Sequence, residues 1–576
     1  MQMHTRARRR RRLTRARAVL LCALLALAVS AAGPGSAGAH EEGDLPTVVA
    51  VSVPNDAAHA EIVESGLDAG YHETNLVEVW IHDEADLALL DELGYAWTEV
   101  SDGSGVAAQA RIAEAADAAA QEVSLLPTGR VDYRTLPEIN AELAELAAAY
   151  PDRVKLFELP HQSLIGQTIY GVEISHDIKT NRGKPVFLNT GVHHAREWPT
   201  AEFVLEFAWD VLARDGTDPQ ITDLLERGKM IVVPVVNPDG YYVSRNRLNG
   251  QEQKRKNCRI VPNEIPTVAQ CEASTSVNRG VDPNRNYGAF WGGFGTSTSQ
   301  TATNYRGVGP FSEPEIQNMR ELTGAHQITV AINNHTPDGR LLRAPSSLNE
   351  PRPVADEVSY QALTDKLGAD LSWPAGPWTD IYYQASGTAE QHAYYSAGTY
   401  GFTTEATPGH SGLNTFHPPY QNVIEQYFGI GRYANSSIRA AFLTAFEASV
   451  DPSMHSIIEG EGPHGVELTL TKEFTMFTVP IGGTPIEVPI KLQTTMTVPR
   501  NGYFRWHVNP SLRPSQYAGA TLFESWTISC KLGPNKIALE EEVFVARGEV
   551  ARVDLKRCPE GIKVPLDERW GSPKDE

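Results

Sequence analysis

Residues 46–54 and 76–81 alternate apolar and polar side chains with the two-residue period of β strands, and each precedes a stretch of helical period, at 57–66 and 84–93. The pattern predicts a small α/β unit over residues 40–103. An Ala-rich polar stretch without an aromatic residue, Gly103 to Glu122, then reads as an exposed linker over 104–128, open to proteolysis. A small unit ahead of such a linker has the layout of a removable prosegment; a permanent accessory domain is the other reading.

From Tyr133 the pattern changes. A helical stretch at 135–149 leads into strand-like runs at 154–159, 169–174 and 185–190, a helix at 199–213, and further runs at 229–236, 327–333 and 400–405. Buried runs alternating with helices predict an α/β domain over 129–447, with a central mixed or parallel sheet flanked by helices. After residue 448 the helical period disappears. Short period-two runs, among them 466–471, 474–479, 484–489, 492–498, 503–508 and 525–531, predict an all-β unit over 448–576, a β-sandwich.

Charge and composition narrow the compartment. Residues 6–17 hold eight Arg and no acid, an apolar run covers 19–32, and Ala37-Gly38-Ala39 follows, the three parts of a secretory signal peptide over 1–39. The chain carries 50 Lys+Arg against 71 Asp+Glu, a formal charge of −21, and without the leader's eight Arg the charge is near −29. So acidic a chain excludes a nucleic-acid partner, which needs a basic face. A hydrophobic content of 41% excludes a disordered chain. The apolar run is shorter than the roughly 20 residues of a membrane span, so the expectation is a secreted, extracellular monomer with no membrane span. Past the leader stand Cys258, Cys271, Cys530 and Cys558, without the C-x-x-C spacing of zinc sites. An even count in an exported chain favours disulfides, and proximity favours Cys258 with Cys271 and Cys530 with Cys558.

Ligands of α/β sheets bind where strands run into loops, so the polar residues behind each apolar run carry the chemistry. Behind 186–190 come His194 and Glu197, three apart, a spacing that lets a nitrogen and a carboxylate oxygen meet one zinc ion, although solvated His–Glu pairs share it. His335, behind the run at 327–332, supplies a third ligand, and three protein ligands are what a catalytic zinc keeps. Glu405 closes the run at 400–404, where an acid is costly unless used, and is the candidate general base.

These residues resemble the zinc metallocarboxypeptidases of the pancreatic carboxypeptidase A and B type. The resemblance runs from about Tyr133 to Leu443 and rests on motifs in order: His194-Ala195-Arg196-Glu197-Trp198, Asn237-Pro238-Asp239-Gly240-Tyr241, Asp282-Pro283-Asn284-Arg285-Asn286, Pro310-Phe311-Ser312-Glu313-Pro314-Glu315, His335, Tyr383-Gln384-Ala385-Ser386-Gly387, and the strand ending at Glu405. It implies a carboxypeptidase A-like fold and one Zn2+ per chain on His194, Glu197 and His335. Glu405 would then take the proton of the metal-bound water and pass it to the leaving amine. Arg255, within a short basic segment that could also be a solvated loop, would meet the developing negative charge of the scissile carbonyl. Arg285 with Asn284 would bind a terminal carboxylate, Tyr383 would close over the substrate, and Arg196 would hold the carboxylate on its way in. The implied partners are peptides and proteins with a free C-terminus.

Departures from the family bear on specificity. The spacer between Arg247 and Arg255 is longer than usual, and Gln391-His392 stand where the family commonly has Asp-Trp, a change in the specificity-pocket wall. Glu390, seven residues after Tyr383, falls where the pancreatic enzymes have the base of that pocket, and an acid there implies a preference for Lys or Arg at the substrate terminus. Two other functions remain open: a zinc amidase on cell-wall peptides or acylated amino acids, and a secreted binding protein without activity.

Overall fold

Four strands precede the first long helix of the computed structural model, which describes residues 48–72, 76–101, 124–350, 356–406, 416–516, 521–533 and 536–559. The expected leader over 1–39 and residues 104–123 of the expected linker lie outside the described residues. Strands β1 (Val48–Ser52), β2 (Asp68–His72), β3 (Leu76–Trp80) and β4 (Trp97–Ser101) form an antiparallel sheet in the order β2-β3-β1-β4. Its two helices, Asp56–Glu64 and Glu84–Leu93, open on side-chain caps: Asn55 accepts from Ala58 N and Asp83 from Ala85 N. Val49, Val51, Ile62, Val77, Val79 and Leu90 close a separate small core. Strands β2 and β4 were not among the elements the pattern predicted. Asp-Ala-Gly-Tyr-His contains no β-branched residue, and β2 forms because β3 offers it a pairing edge.

The central sheet has eight strands: β5 (Val154–Glu158), β6 (Tyr170–Ile174), β7 (Val186–Thr190), β8 (Lys229–Val233), β9 (Ile328–His335), β10 (Arg340–Arg343), β11 (Ala375–Pro377) and β12 (Tyr400–Glu405), in the order β11-β10-β12-β9-β7-β8-β6-β5. Its centre, β12-β9-β7-β8, is parallel, and antiparallel pairs flank it on both sides. Every residue of β7 and β12 is buried, as expected of strands covered on both faces. Helices flank the sheet; the one at Pro199–Arg214 starts on the proline, whose missing N–H costs nothing at a first helical position.

Strands β13 (Ser456–Glu461), β14 (Glu467–Phe477), β15 (Glu487–Thr497), β16 (Tyr503–Val508), β17 (Leu512–Pro514), β18 (Thr521–Phe523), β19 (Trp526–Gly533), β20 (Lys536–Val543) and β21 (Val550–Asp554) build the C-terminal region. They make a three-stranded sheet β16-β13-β21, a four-stranded sheet β15-β14-β19-β20 and the pair β17-β18. The runs at 466–471 and 474–479 are one strand, as are those at 484–489 and 492–498. Lys472 breaks the first alternation in sequence but not in space: its Nζ donates to Pro510 O at 2.9 Å and lies 4.5 Å from the Trp526 ring. Both disulfides, Cys258–Cys271 and Cys530–Cys558, pair neighbours in sequence. Among the described residues no helix is long and apolar enough to cross a membrane.

Candidate metal centre and active site

Three strands of the parallel centre end together, and each end carries a candidate residue. Beyond β7 the chain turns at Val192, whose φ of 48° is a left-handed conformation that β-branched residues avoid. Val192 N donates to Thr200 Oγ1 at 2.9 Å, and Asn237 N donates to Val192 O at 3.0 Å, which hold the turn. The strained turn delivers His194 and Glu197 into the site, with His194 Nδ1 2.7 Å from Glu197 Oε1. His335, the last residue of β9, brings its Nδ1 to 2.9 Å from His194 Nδ1 and 2.8 Å from Glu197 Oε2. The three buried ligand atoms lie within 4.8 Å of one another.

Two imidazole nitrogens and a carboxylate oxygen turned on one point form a donor set that suits zinc. Burial lowers the His194 pKa to about 4 and that of His335 to about 3, with Arg255 adding to both, so the rings are neutral, the form that binds metal. The outer nitrogens are also anchored. His194 Nε2 lies 3.1 Å from Asp282 Oδ1, and His335 Nε2 lies 2.8 Å from the Asn333 amide.

Glu405 ends β12 directly beside His335 on β9, and Ala406 N donates to His335 O at 2.8 Å. Burial, Asp338 and Glu197 raise its carboxyl well above the ordinary range, while Arg255 and Arg285 oppose them. Arg255 donates to Asp282 Oδ2 at 2.9 Å and stands 3.7 Å from Glu197 Oε1. Burial alone would raise the Asp282 carboxyl, but Arg255, His194 and Arg285 hold it well below the usual range.

Arg285 donates through Nε to Gly295 O at 3.0 Å and through Nη1 to Asn284 O at 2.8 Å; among the described residues its Nη2 has no partner. The Asn284 side chain accepts from Ala389 N at 2.9 Å and lies 3.4 Å from His335 Nε2. Tyr383 is half-buried against Trp378 and Tyr382, near enough to Arg285 and Glu405 to feel both charges; burial raises its hydroxyl pKa. Arg196 instead meets Asp68 of the N-terminal sheet.

Glu390 is buried in a cradle of three hydroxyls: Ser346 at 3.0 Å, Thr403 at 2.8 Å and Thr388. His392 packs on Phe311 and Tyr287 beneath the sheet, Gln391 donates to Glu350 at 2.6 Å, and Arg247 lies over Trp198. Sequence reasoning did not single out Asp282 or Glu350. Asp282 had a legible signal, an acid within the motif that carries Asn284 and Arg285; Glu350 had none, because its meaning comes only from contacts distant in sequence.

The zinc carboxypeptidase family profile matches residues 139–428, just over half of the 576-residue chain. The chain belongs to this family. Its zinc carboxypeptidase region is 33% identical to carboxypeptidase A2 of Rattus norvegicus over 282 residues, 47% of this chain and 62% of that protein. Against carboxypeptidase A1 of the same organism it is 30% identical over 303 residues, 51% of this chain and 66% of the relative. The chain thus spans less than two thirds of the length of these relatives. The fold is similar to that of carboxypeptidase A from Helicoverpa armigera, with a TM-score of 0.56 at 22% identity over 72% of this chain and 100% of that one.

Proposed function

We propose that this protein is a secreted zinc-dependent metallocarboxypeptidase that hydrolyses the C-terminal peptide bond of peptides and proteins, with a preference for basic terminal residues. The observation that carries this reading is the meeting of His194, Glu197 and His335 with Glu405, the buried Arg285 and the partly buried Arg255 at one end of the sheet. The names of the relatives, carboxypeptidases A2 and A1, support it. Two disulfides and the leader pattern support secretion.

His194, Glu197 and His335 would hold the ion, which when bound supplies Lewis-acid polarisation of the scissile carbonyl and of water. Glu405 is the base: it removes a proton from the attacking water and returns it to the leaving nitrogen. Arg255, fixed by Asp282, offers positive charge to the carbonyl oxygen as it becomes an oxyanion. Arg285 holds the terminal carboxylate through the guanidinium edge left over from Gly295 and Asn284, which makes the reaction an exopeptidase one. Asn284 orients this group, and Tyr383 covers the bound terminus.

Glu390 would receive the terminal side chain. A carboxylate has about four acceptor positions and three hydroxyls use three of them, so charge and one acceptor remain for an ammonium or guanidinium. The test is a C-terminal ladder assay on peptides ending in Arg and in Phe, with metal content measured on the same sample. One zinc per chain, single-residue release and faster loss of Arg are expected. Glu390→Ala should then cut the Arg rate about 100-fold, the scale of a buried charge losing its partner, and leave Phe release within a few-fold. Internal cleavage, or release that survives removal of the metal, would sink the reading.

A further inference from the structure

The β14–β15 hairpin of the C-terminal region does not end at its own sheet. Beyond the pairing of Phe477 with Glu487 it continues to a tight tip, where Ile481 and Thr484 exchange backbone hydrogen bonds around Gly482 and Gly483, both at positive φ. The flank of this tip lies on the loop that follows Arg285. Val479 N donates to Trp291 O at 3.1 Å, and Ile481 presses on Gly292 so closely that a Cβ there would stand 2.8 Å from the Ile481 Cδ1. Farther down the hairpin, Val488 meets Gly288 in the same manner.

That loop is tied at Trp291 and Gly292 to Arg306 and leads on to the arginine. Trp291 Nε1 donates to Arg306 O, Arg306 donates back to Gly292 O at 3.0 Å, and its guanidinium lies 4.6 Å over the Trp291 ring. Three residues on, Gly295 O accepts from Arg285 Nε at 3.0 Å. The other side of Gly295, at φ 72°, is packed on Gln384 O, so that only a residue without a Cβ fits between Arg285 and the segment after Tyr383. Ile481 thus contacts Gly292, and three residues along the backbone Gly295 holds Arg285.

We infer that the tip of the C-terminal hairpin, through Val479 and Ile481 on the Trp291–Gly295 loop, is a positioning element that sets the direction of the Arg285 guanidinium. The inference rests on the reading of Arg285 as the carboxylate clamp. Ile481 touches no reacting group; it acts through the loop. A guanidinium that has spent Nε and one Nη1 hydrogen on backbone carbonyls can offer a paired grip only if those carbonyls stay in place.

The test compares Ile481→Ala, the conservative Ile481→Val, Arg285→Ala and the double variant Ile481→Ala/Arg285→Ala in the full chain. Ile481→Ala should raise KM for peptides with a free C-terminus about five-fold with kcat within two-fold, and Ile481→Val should restore most of it. On the Arg285→Ala background the Ile481→Ala effect should vanish, because the group it positions is gone. Amide exchange over residues 288–296 should speed up in Ile481→Ala at unchanged zinc content. Unchanged exchange, or faster exchange with unchanged KM, overturns the inference, as does an Ile481→Ala effect that persists in full without Arg285. If Arg285→Ala itself leaves KM unchanged, the carboxylate-clamp reading falls instead, whatever the exchange shows.

Discussion

Both carboxylate oxygens of Asp68, on the N-terminal sheet, engage the guanidinium of Arg196, which stands between the zinc-site residues His194 and Glu197. The pair is buried, His82 Nε2 lies 2.9 Å from the same carboxylate, and Phe416 and Trp80 flank the arginine at 4.1 and 5.2 Å. Burial alone would raise the Asp68 carboxyl, but Arg196 and His82 hold it far below the usual range. On the reading of Arg196 as a first hold for a substrate carboxylate, the Asp68 carboxylate has the form of a built-in competitor. We propose that the N-terminal unit lowers activity in this way. Asp68→Ala in the full chain should raise kcat/KM at least ten-fold, since breaking one side of a buried ion pair costs about 3–5 kcal/mol of docking. Equal kcat/KM for the two chains would remove the role.

Asp282 joins the metal site to its neighbouring cation, accepting from His194 Nε2 on one oxygen and from Arg255 on the other. Asp282→Asn keeps the shape and the Asn284 N–H contact but removes the charge that fixes both partners. Zinc affinity should fall about 10- to 100-fold, as for other outer partners of ligating histidines. Competition with a chromophoric chelator measures it, and an unchanged affinity would show that His194 does not depend on this carboxylate.

The fold was legible wherever burial wrote itself into local pattern. Strands β7 and β12 read as apolar runs because helices cover both faces, and the polar residues at or just beyond strand ends, His194 and Glu197 after β7, His335 closing β9 and Glu405 closing β12, stood out as candidates. Strand β2 and Lys472 were not legible: one is defined by its partner strand, and the other is a charged residue kept inside by Pro510 O and Trp526. The same division holds within the site. His194 and Glu197 are close in sequence, whereas the Asp68–Arg196 pair joins residues 128 positions apart and no spacing rule announces it.

Glu350, beneath Gln391, gives the stability of the fold a pH dependence. Its Oε1 accepts from Ser347 N at 2.9 Å, from Gln391 at 2.6 Å and from Ser346 N, while burial, with the charge of Glu390 adding to it, pushes its carboxyl up from 4.5 to about 7. Below pH 4.5 both the folded and unfolded chains hold the proton, and the group costs nothing. Between 4.5 and about 7 the unfolded chain releases it first, so this contribution to stability is lost as pH rises and then levels off. Glu350→Gln keeps the accepting oxygen and cannot ionise. Thermal melts should show the variant gaining on the wild type from pH 5 to pH 8 by at most about 3 kcal/mol. A difference that stays constant with pH would mean that Glu350 titrates normally.

Asn509 carries the union of the C-terminal strands with the central sheet. Its Nδ2 donates to Ile328 O at 2.9 Å and Ala397 O at 2.8 Å, its N–H donates to Gln327 Oε1 at 2.8 Å, and its own carbonyl accepts from Trp526 Nε1 at 2.8 Å. Ile328 starts the strand that ends in His335, so the C-terminal region grips the far end of a ligand-bearing strand. Asn509→Ala leaves the Ala397 carbonyl without this donor, at about 1–3 kcal/mol when stranded, whereas Ile328 O keeps the Thr399 hydroxyl at 2.6 Å. The central and C-terminal regions should melt earlier, in one transition and with zinc release at the same temperature, because their side chains share one core. Two separated transitions, with zinc held through the first, would mean that the C-terminal strands fold on their own and that Asn509 only tethers them.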